Sequence, residues 1–177
     1  MSIAVQNGTT YGGNKTLLRC LNAELEIPKC EVIHIAIVCA GHSATRSVVT
    51  LIKSVLFYRK NPLHFHFISD DIAQLILSRL FDTWNVPEVN VSFYSTDKVQ
   101  EDVVWISNKH YSGVFGLMKL TLPKTLPRNL SKGRGFNTGV ILLDLQKLRD
   151  MGWMELWTKV AQEELQTMVY TSLADQY

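Results

Sequence analysis

The turn Gly41-His42-Ser43-Ala44-Thr45 follows a β-branched apolar run and precedes an apolar pattern of helical spacing. A serine between a strand and a helix is where a hydrolase elbow presents its nucleophile, but the second glycine of G-x-S-x-G is Thr45 here. The carboxylate and histidine of such a triad would also have to fit before His110, the last histidine. A helix N-cap accounts for Ser43 more simply. The N–H groups of such a turn also suit a phosphate or a nucleotide.

Gly133-Arg134-Gly135-Phe136-Asn137-Thr138-Gly139 is glycine-rich but lacks the Gly-Lys-Ser/Thr ending of a phosphate loop, and it precedes a strand instead of following one. Asn137 and Gly139 are poor β-formers at the head of an apolar strand. A close backbone approach to a ligand would explain them, and so would a plain turn into the strand. His64 and His66 share one face of a strand and could form a metal pair. No third ligand stands at a useful spacing, so they read as core or edge histidines and no metal residues are assigned. His110 lies beside Asn108, Lys109 and Tyr111 in a polar cluster open to either reading. Trp153 and Trp157 share a helix face and read as core. Cys20, Cys30 and Cys39 match no zinc knuckle and read as plain thiols, with a Cys20–Cys30 bridge left open.

These residues need elements to position them. Ile33 to Ala40 is a short, nearly continuous apolar run, the pattern of a strand buried on both faces. Val48, Val49, Leu51, Ile52, Val55 and Leu56 then recur at helical spacing from a cap at Ser43 to about Tyr58, and Asn61-Pro62 stops the helix. A second strand, Leu63 to Ile68, leads to Asp70 or Asp71 as the cap of a helix ending near Trp84. Glu88 to Tyr94 is a third strand. Strand–helix–strand–helix–strand at this spacing implies parallel pairing and an α/β sheet. Ligands of such sheets sit beyond the carboxyl ends of the strands, after Ala40 and after Ile68. Further on, Ser95 to Asn108 reads as a polar loop, and Tyr111 to Leu122 as a helix ended by Pro123. Phe136 to Leu143 reads as a fourth strand. Asp144 caps a long amphipathic helix broken near Gly152. Residues 1–30 show no sustained period and read as a poorly ordered lead-in.

The 177 residues amount to about one domain, and 46% hydrophobic with 19% charged residues excludes a disordered chain. A net charge of +2 argues against a nucleic-acid partner. No apolar run approaches the ~20 residues of a membrane helix, and the first thirty residues lack the pattern of a signal peptide. Four of nine asparagines open an N-x-S/T sequon (Asn7, Asn14, Asn90 and Asn129), which leans toward a secretory lumen.

Taken together, Cys39-Ala40-Gly41, Leu51 to Phe57, Asn61 to His66, Trp105-Ile106, Asn108 to Gly113, Gly116 to Leu120, Gly133 to Leu143 and Thr171 to Gln176 closely resemble the xylosyltransferase domain of the LARGE enzymes in glycosyltransferase family 8. The resemblance covers most of residues 30–176. It implies a GT-A fold over 31–177 that binds a UDP-sugar, with Mn²⁺ bridging the diphosphate. It also implies retaining transfer of xylose from UDP-xylose onto a glucuronate-ended glycan on α-dystroglycan, in matriglycan synthesis in the Golgi lumen. By position, Ala40, Gly41, His42 and Ser43 would meet the uridine, with Lys119 and Gly139 also binding substrate. Asn137 would approach a sugar, and Asp175 and Gln176 would lie by the anomeric carbon. An amide or carboxylate there can stabilise positive charge as UDP leaves.

Three departures stand out. Leu126-Pro127-Arg128-Asn129-Leu130 runs directly into Ser131-Lys132-Gly133, where the family places a strand ending in Asp-x-Asp, so several tens of residues and both metal-binding aspartates are absent. The chain ends at Tyr177, where the family continues Asp-Gln-Asp and later supplies a histidine ligand. Leu117 stands where many members have arginine, although the LARGE enzymes share the leucine. The resulting expectation is an incomplete, mostly parallel GT-A sheet of marginal stability, inactive in transfer because hard Mn²⁺ has lost its oxygen ligands. Showing no signal or anchor, the chain as written is expected to be soluble and cytosolic or misrouted. The alternative is a non-catalytic α/β module binding a nucleotide or a partner, and a hydrolase acting through Ser43 is the third reading.

Overall fold

The computed structural model describes residues 31–110, 112–130 and 143–167, which belong to two compact units divided after Phe93. In the first unit the order is β1 (Ile33–Cys39), α1 (Gly41–Tyr58), β2 (Leu63–Ser69), α2 (Asp71–Trp84) and β3 (Val89–Ser95, whose last two residues fall beyond the division). The three strands form a parallel sheet in the order β1-β2-β3, with Ile33 opposite Leu63 and Cys39 opposite Ser69. This is the α/β architecture expected from the alternation of strand and helix, and it is consistent with an incomplete GT-A-like fold.

The period of two in the strands sorts the sheet into two faces. Cys39, Leu63, Phe65 and Phe67 point to one side and pack with Ile52 and Leu56 of α1 and Ala73 and Leu77 of α2. Ile35, Ile37, Val89, Val91 and Phe93 join the same cluster. Phe67 stacks on Phe65 and Phe93 at centroid distances of 5.8 and 5.6 Å. Each buried side chain of this size contributes roughly 1.5–3 kcal/mol. The cluster therefore also fixes register, because a slip of one residue would turn Phe65 and Phe67 outward and bring histidines into the core. The strand starts are tied together by the Ile33 N–H donating to the Pro62 carbonyl (2.9 Å) and the Leu63 N–H to that of Glu88 (3.0 Å). Asn85, left-handed at φ 41°, ends α2 by donating its N–H to the Phe81 carbonyl.

The second unit is built from shorter pieces: α3 (Thr96–Gln100), α4 (Gly113–Leu117), a 3-10 turn (Met118–Thr121), α5 (Leu122–Thr125), α6 (Leu145–Asp150) and α7 (Trp153–Thr167). Two expectations are corrected. The stretch expected as a polar loop opens with α3, because the Ser95 hydroxyl accepts the Asp97 N–H and Asp97 supplies an acid to the first turn. The single helix expected up to Pro123 is three short segments. Pro123 stands in the first turn of α5, where its missing N–H costs nothing, so it begins a turn instead of ending one. Asp144 caps α6 as expected, and Gly152 at φ 68° makes the expected break before α7. Trp157 is buried and Trp153 half-buried, the latter donating its indole N–H to the Leu120 carbonyl at 2.8 Å. No helix among the described residues is long and apolar enough to cross a membrane. The lead-in 1–30 and the fourth strand, Phe136–Leu143, lie outside the described residues, apart from Leu143 itself.

Candidate functional site

The carboxyl end of β1 is a turn made by glycine. Gly41 sits at φ 76°, a region that L side chains enter at a cost of roughly 1–2 kcal/mol. The cap residue before it, Ala40, has no side-chain acceptor to offer. That role falls to Asp70, at the carboxyl end of β2. Its Oδ2 accepts the Gly41 N–H at 2.9 Å, and its Oδ1 accepts the Ala73 N–H at 2.8 Å, capping α2 in the ordinary way. Behind the turn, the Thr45 hydroxyl donates to the Gly41 carbonyl at 2.7 Å and lies 3.6 Å from the Cys39 sulfur. Ser43 is thus not the N-cap expected from the sequence. The helix begins two residues earlier, and Ser43 is an exposed residue of its first turn beside exposed His42.

Cys39 is buried, and burial pushes its thiol above the ordinary range although the Thr45 hydroxyl pulls the other way. It is a structural thiol and not a nucleophile. Ser69, opposite Cys39 in the register, keeps a buried hydroxyl with no partner among the described residues.

The sheet face away from the aromatic core carries histidines. His34 on β1 is the register partner of His64 on β2, and His66 lies two residues along on the same side. His34 Nδ1 and His66 Nε2 are 2.9 Å apart, and the His64 and His66 rings stack at 4.1 Å between centroids. His64 Nε2 lies 2.8 Å from the Ser92 hydroxyl of β3. Burial, with the neighbouring imidazoles, lowers His66 to about 4, and burial lowers His34 and His64 as well. The sequence reading found no third ligand beside His64 and His66. Parallel pairing brings one from thirty residues upstream, and the equal parity of the three positions in adjacent strands was the signal available for it.

Of the other expected site residues, Lys119 lies half-buried in the 3-10 turn of the second unit. Asn137, Gly139, Asp175 and Gln176 lie outside the described residues. His110 belongs to a local polar turn: its N–H donates to Asn108 Oδ1 and its Nδ1 lies 2.7 Å from the Ser112 hydroxyl.

No family model matches the chain. It is similar to the xylosyl- and glucuronyltransferase LARGE2s of Gallus gallus, at 43% identity over 98% of this chain and 31% of that protein. It is 48% identical to LARGE2s of Danio rerio over 84% of this chain and 27% of that one, and 46% identical to human LARGE1 over 85% and 27%. The chain thus spans about a third of the length of the curated relatives it matches, or less. The alignment with the Gallus gallus protein runs over 227 residues although this chain has 177, so tens of residues within the matched span have no counterpart here. Over most of its residues, therefore, the chain is homologous to the LARGE xylosyl- and glucuronyltransferases.

Proposed function

We propose that the chain is a glycosyltransferase module that receives the nucleotide of a UDP-sugar at the Ala40–Ser43 turn and holds it without transferring the sugar. Homology at 41–48% identity to proteins named for xylosyl and glucuronyl transfer carries this reading. The placement of the turn at the carboxyl end of β1, braced by Asp70, agrees with where α/β sheets bind nucleotides. In the family reaction the donor is UDP-xylose and the acceptor a glucuronate-ended glycan on α-dystroglycan in the Golgi lumen. Asn137, Asp175 and Gln176 would serve the sugar, and Lys119 and Gly139 would help to bind substrate.

The manganese expected with that reaction does not fit the residues at hand. Mn²⁺ favours carboxylate, carbonyl and water oxygens, whereas the cluster among the described residues with donors close enough to hold a metal is three imidazoles. The Asp-x-Asp pair is missing from the sequence. A nucleotide-binding module that transfers nothing is the reading favoured by that missing segment.

Calorimetric titration of UDP into the full chain, with and without Mn²⁺, tests the proposal alongside UDP release from UDP-xylose in the presence of acceptor. Weak UDP binding, changed less than tenfold by Mn²⁺ and without turnover, is expected. No UDP binding would refute the module, and tenfold or greater tightening by metal would show that other ligands serve Mn²⁺.

A further inference from the structure

We propose that His34, His64 and His66 form a binding site for a divalent transition metal of the zinc, nickel and copper class, on the sheet face opposite the aromatic core. Their donor atoms all lie within 4.8 Å of one another. A tetrahedral zinc with Zn–N bonds of ~2.0–2.1 Å needs donors about 3.3 Å apart, so ring rotation would bring the three donors onto one ion. The spacing rests on backbone: His34 and His64 are register partners in a parallel pair, and His66 follows at the two-residue repeat of a strand.

His66 is buried and forms the floor, His64 is half-buried, and His34 is exposed, which leaves a way in and an open coordination position for water or a substrate atom. Ser92 at 2.8 Å from His64 Nε2 fixes that ring, as a partner outside the ligand set does in metal centres. His34 Nδ1 and His66 Nε2 now share one proton across 2.9 Å. Metal entry takes both lone pairs, and that proton moves to the far nitrogen of the ring that held it. No oxidation change occurs. Three nitrogen donors select against Mn²⁺, Mg²⁺ and Ca²⁺.

The test uses the full chain stripped with a chelator and titrated with Zn²⁺ against a chromophoric competitor, then with Co²⁺ read by its visible spectrum. One equivalent of Zn²⁺ is expected. The Co²⁺ spectrum should show tetrahedral nitrogen coordination without the sulfur charge-transfer band that binding to Cys20, Cys30 or Cys39 would give. His34→Ala, at an exposed position, should keep the circular dichroism of the parent and weaken Zn²⁺ at least tenfold, as should His64→Gln, while His110→Ala should leave it unchanged. Absence of a one-equivalent site, a sulfur band, or a loss below tenfold in both triad variants would overturn the proposal. The readout involves neither nucleotide nor sugar, so its failure is separate from failure of the UDP-binding module.

Discussion

Asp70 and Gly41, twenty-nine residues apart, are joined by a 2.9 Å hydrogen bond from the glycine N–H to the aspartate Oδ2. One carboxylate therefore caps two helices: its own α2 through the Ala73 N–H and its neighbour α1 through the Gly41 N–H. The two strand-to-helix turns that an α/β sheet uses for ligands are joined through this side chain.

Asp70→Ala removes both acceptors, whereas Asp70→Asn keeps one oxygen. Loss of an N-cap costs about 0.5–2 kcal/mol, and a second orphaned N–H adds about 1 kcal/mol or more. Urea unfolding should show the alanine variant less stable by roughly 2–3 kcal/mol and the asparagine variant by about half of that. No loss in the asparagine variant would mean that the second of the two bonds contributes nothing.

Gly41→Ala isolates the turn's geometry. An added Cβ would meet nothing within 4 Å, so only the φ of 76° opposes it. A loss of about 1–2 kcal/mol is expected from that strain alone. UDP affinity should fall with it, because a relaxed turn no longer presents the same N–H groups. Unchanged stability would show that the turn can adopt another conformation without strain.

The histidine cluster makes metal-free stability depend on pH. A free histidine titrates near 6.5, while burial holds His66 at about 4 and keeps His34 and His64 low. As pH falls below about 6.5, the unfolded chain takes up protons that the fold refuses. Stability is then full above about 6.5, declines toward about 4, and levels off below that. Urea midpoints measured in chelator between pH 7.5 and 4 should fall in that window, with a shallower fall in His66→Phe. The same slope in both proteins would remove His66 as the cause.

Arg149 fastens the segment that precedes Ser131. Its guanidinium donates to the carbonyls of Pro123, Leu126, Pro127, Arg128 and Leu130, at 2.7 to 3.3 Å. A lysine has one ammonium where the arginine has a planar fork, and it cannot span five acceptors. Arg149→Lys should cost about 2–3 kcal/mol despite conserving charge. By contrast, Lys124→Ala breaks an ion pair with Asp102 whose lysine side chain is 58% exposed, and should cost under ~1 kcal/mol. Comparable losses in the two variants would refute the clamp.

Much of this protein was legible in its residues. The β-branched run before Gly41, the alternation in Leu-His-Phe-His-Phe-Ile and the helical spacing of Val48 to Leu56 each express a local period. Local periods follow from backbone geometry alone, so the three strands and two long helices were readable one at a time. The parallel order follows from the same alternation, since short connections through helices leave few topologies. Where local signals compete, the reading failed. Ser43 is a good cap by type, but Asp70 reaches the helix start from another turn, and Pro123 could as well begin a segment as end one. What tertiary structure alone decided was pairing across distance. Register set His34 against His64 and completed a cluster that spacing along the chain had left one ligand short. Folding likewise gathered five carbonyls around Arg149. Neither has a local period, because each depends on which distant backbone comes alongside, and that is chosen by burial of the aromatic face on the other side of the sheet.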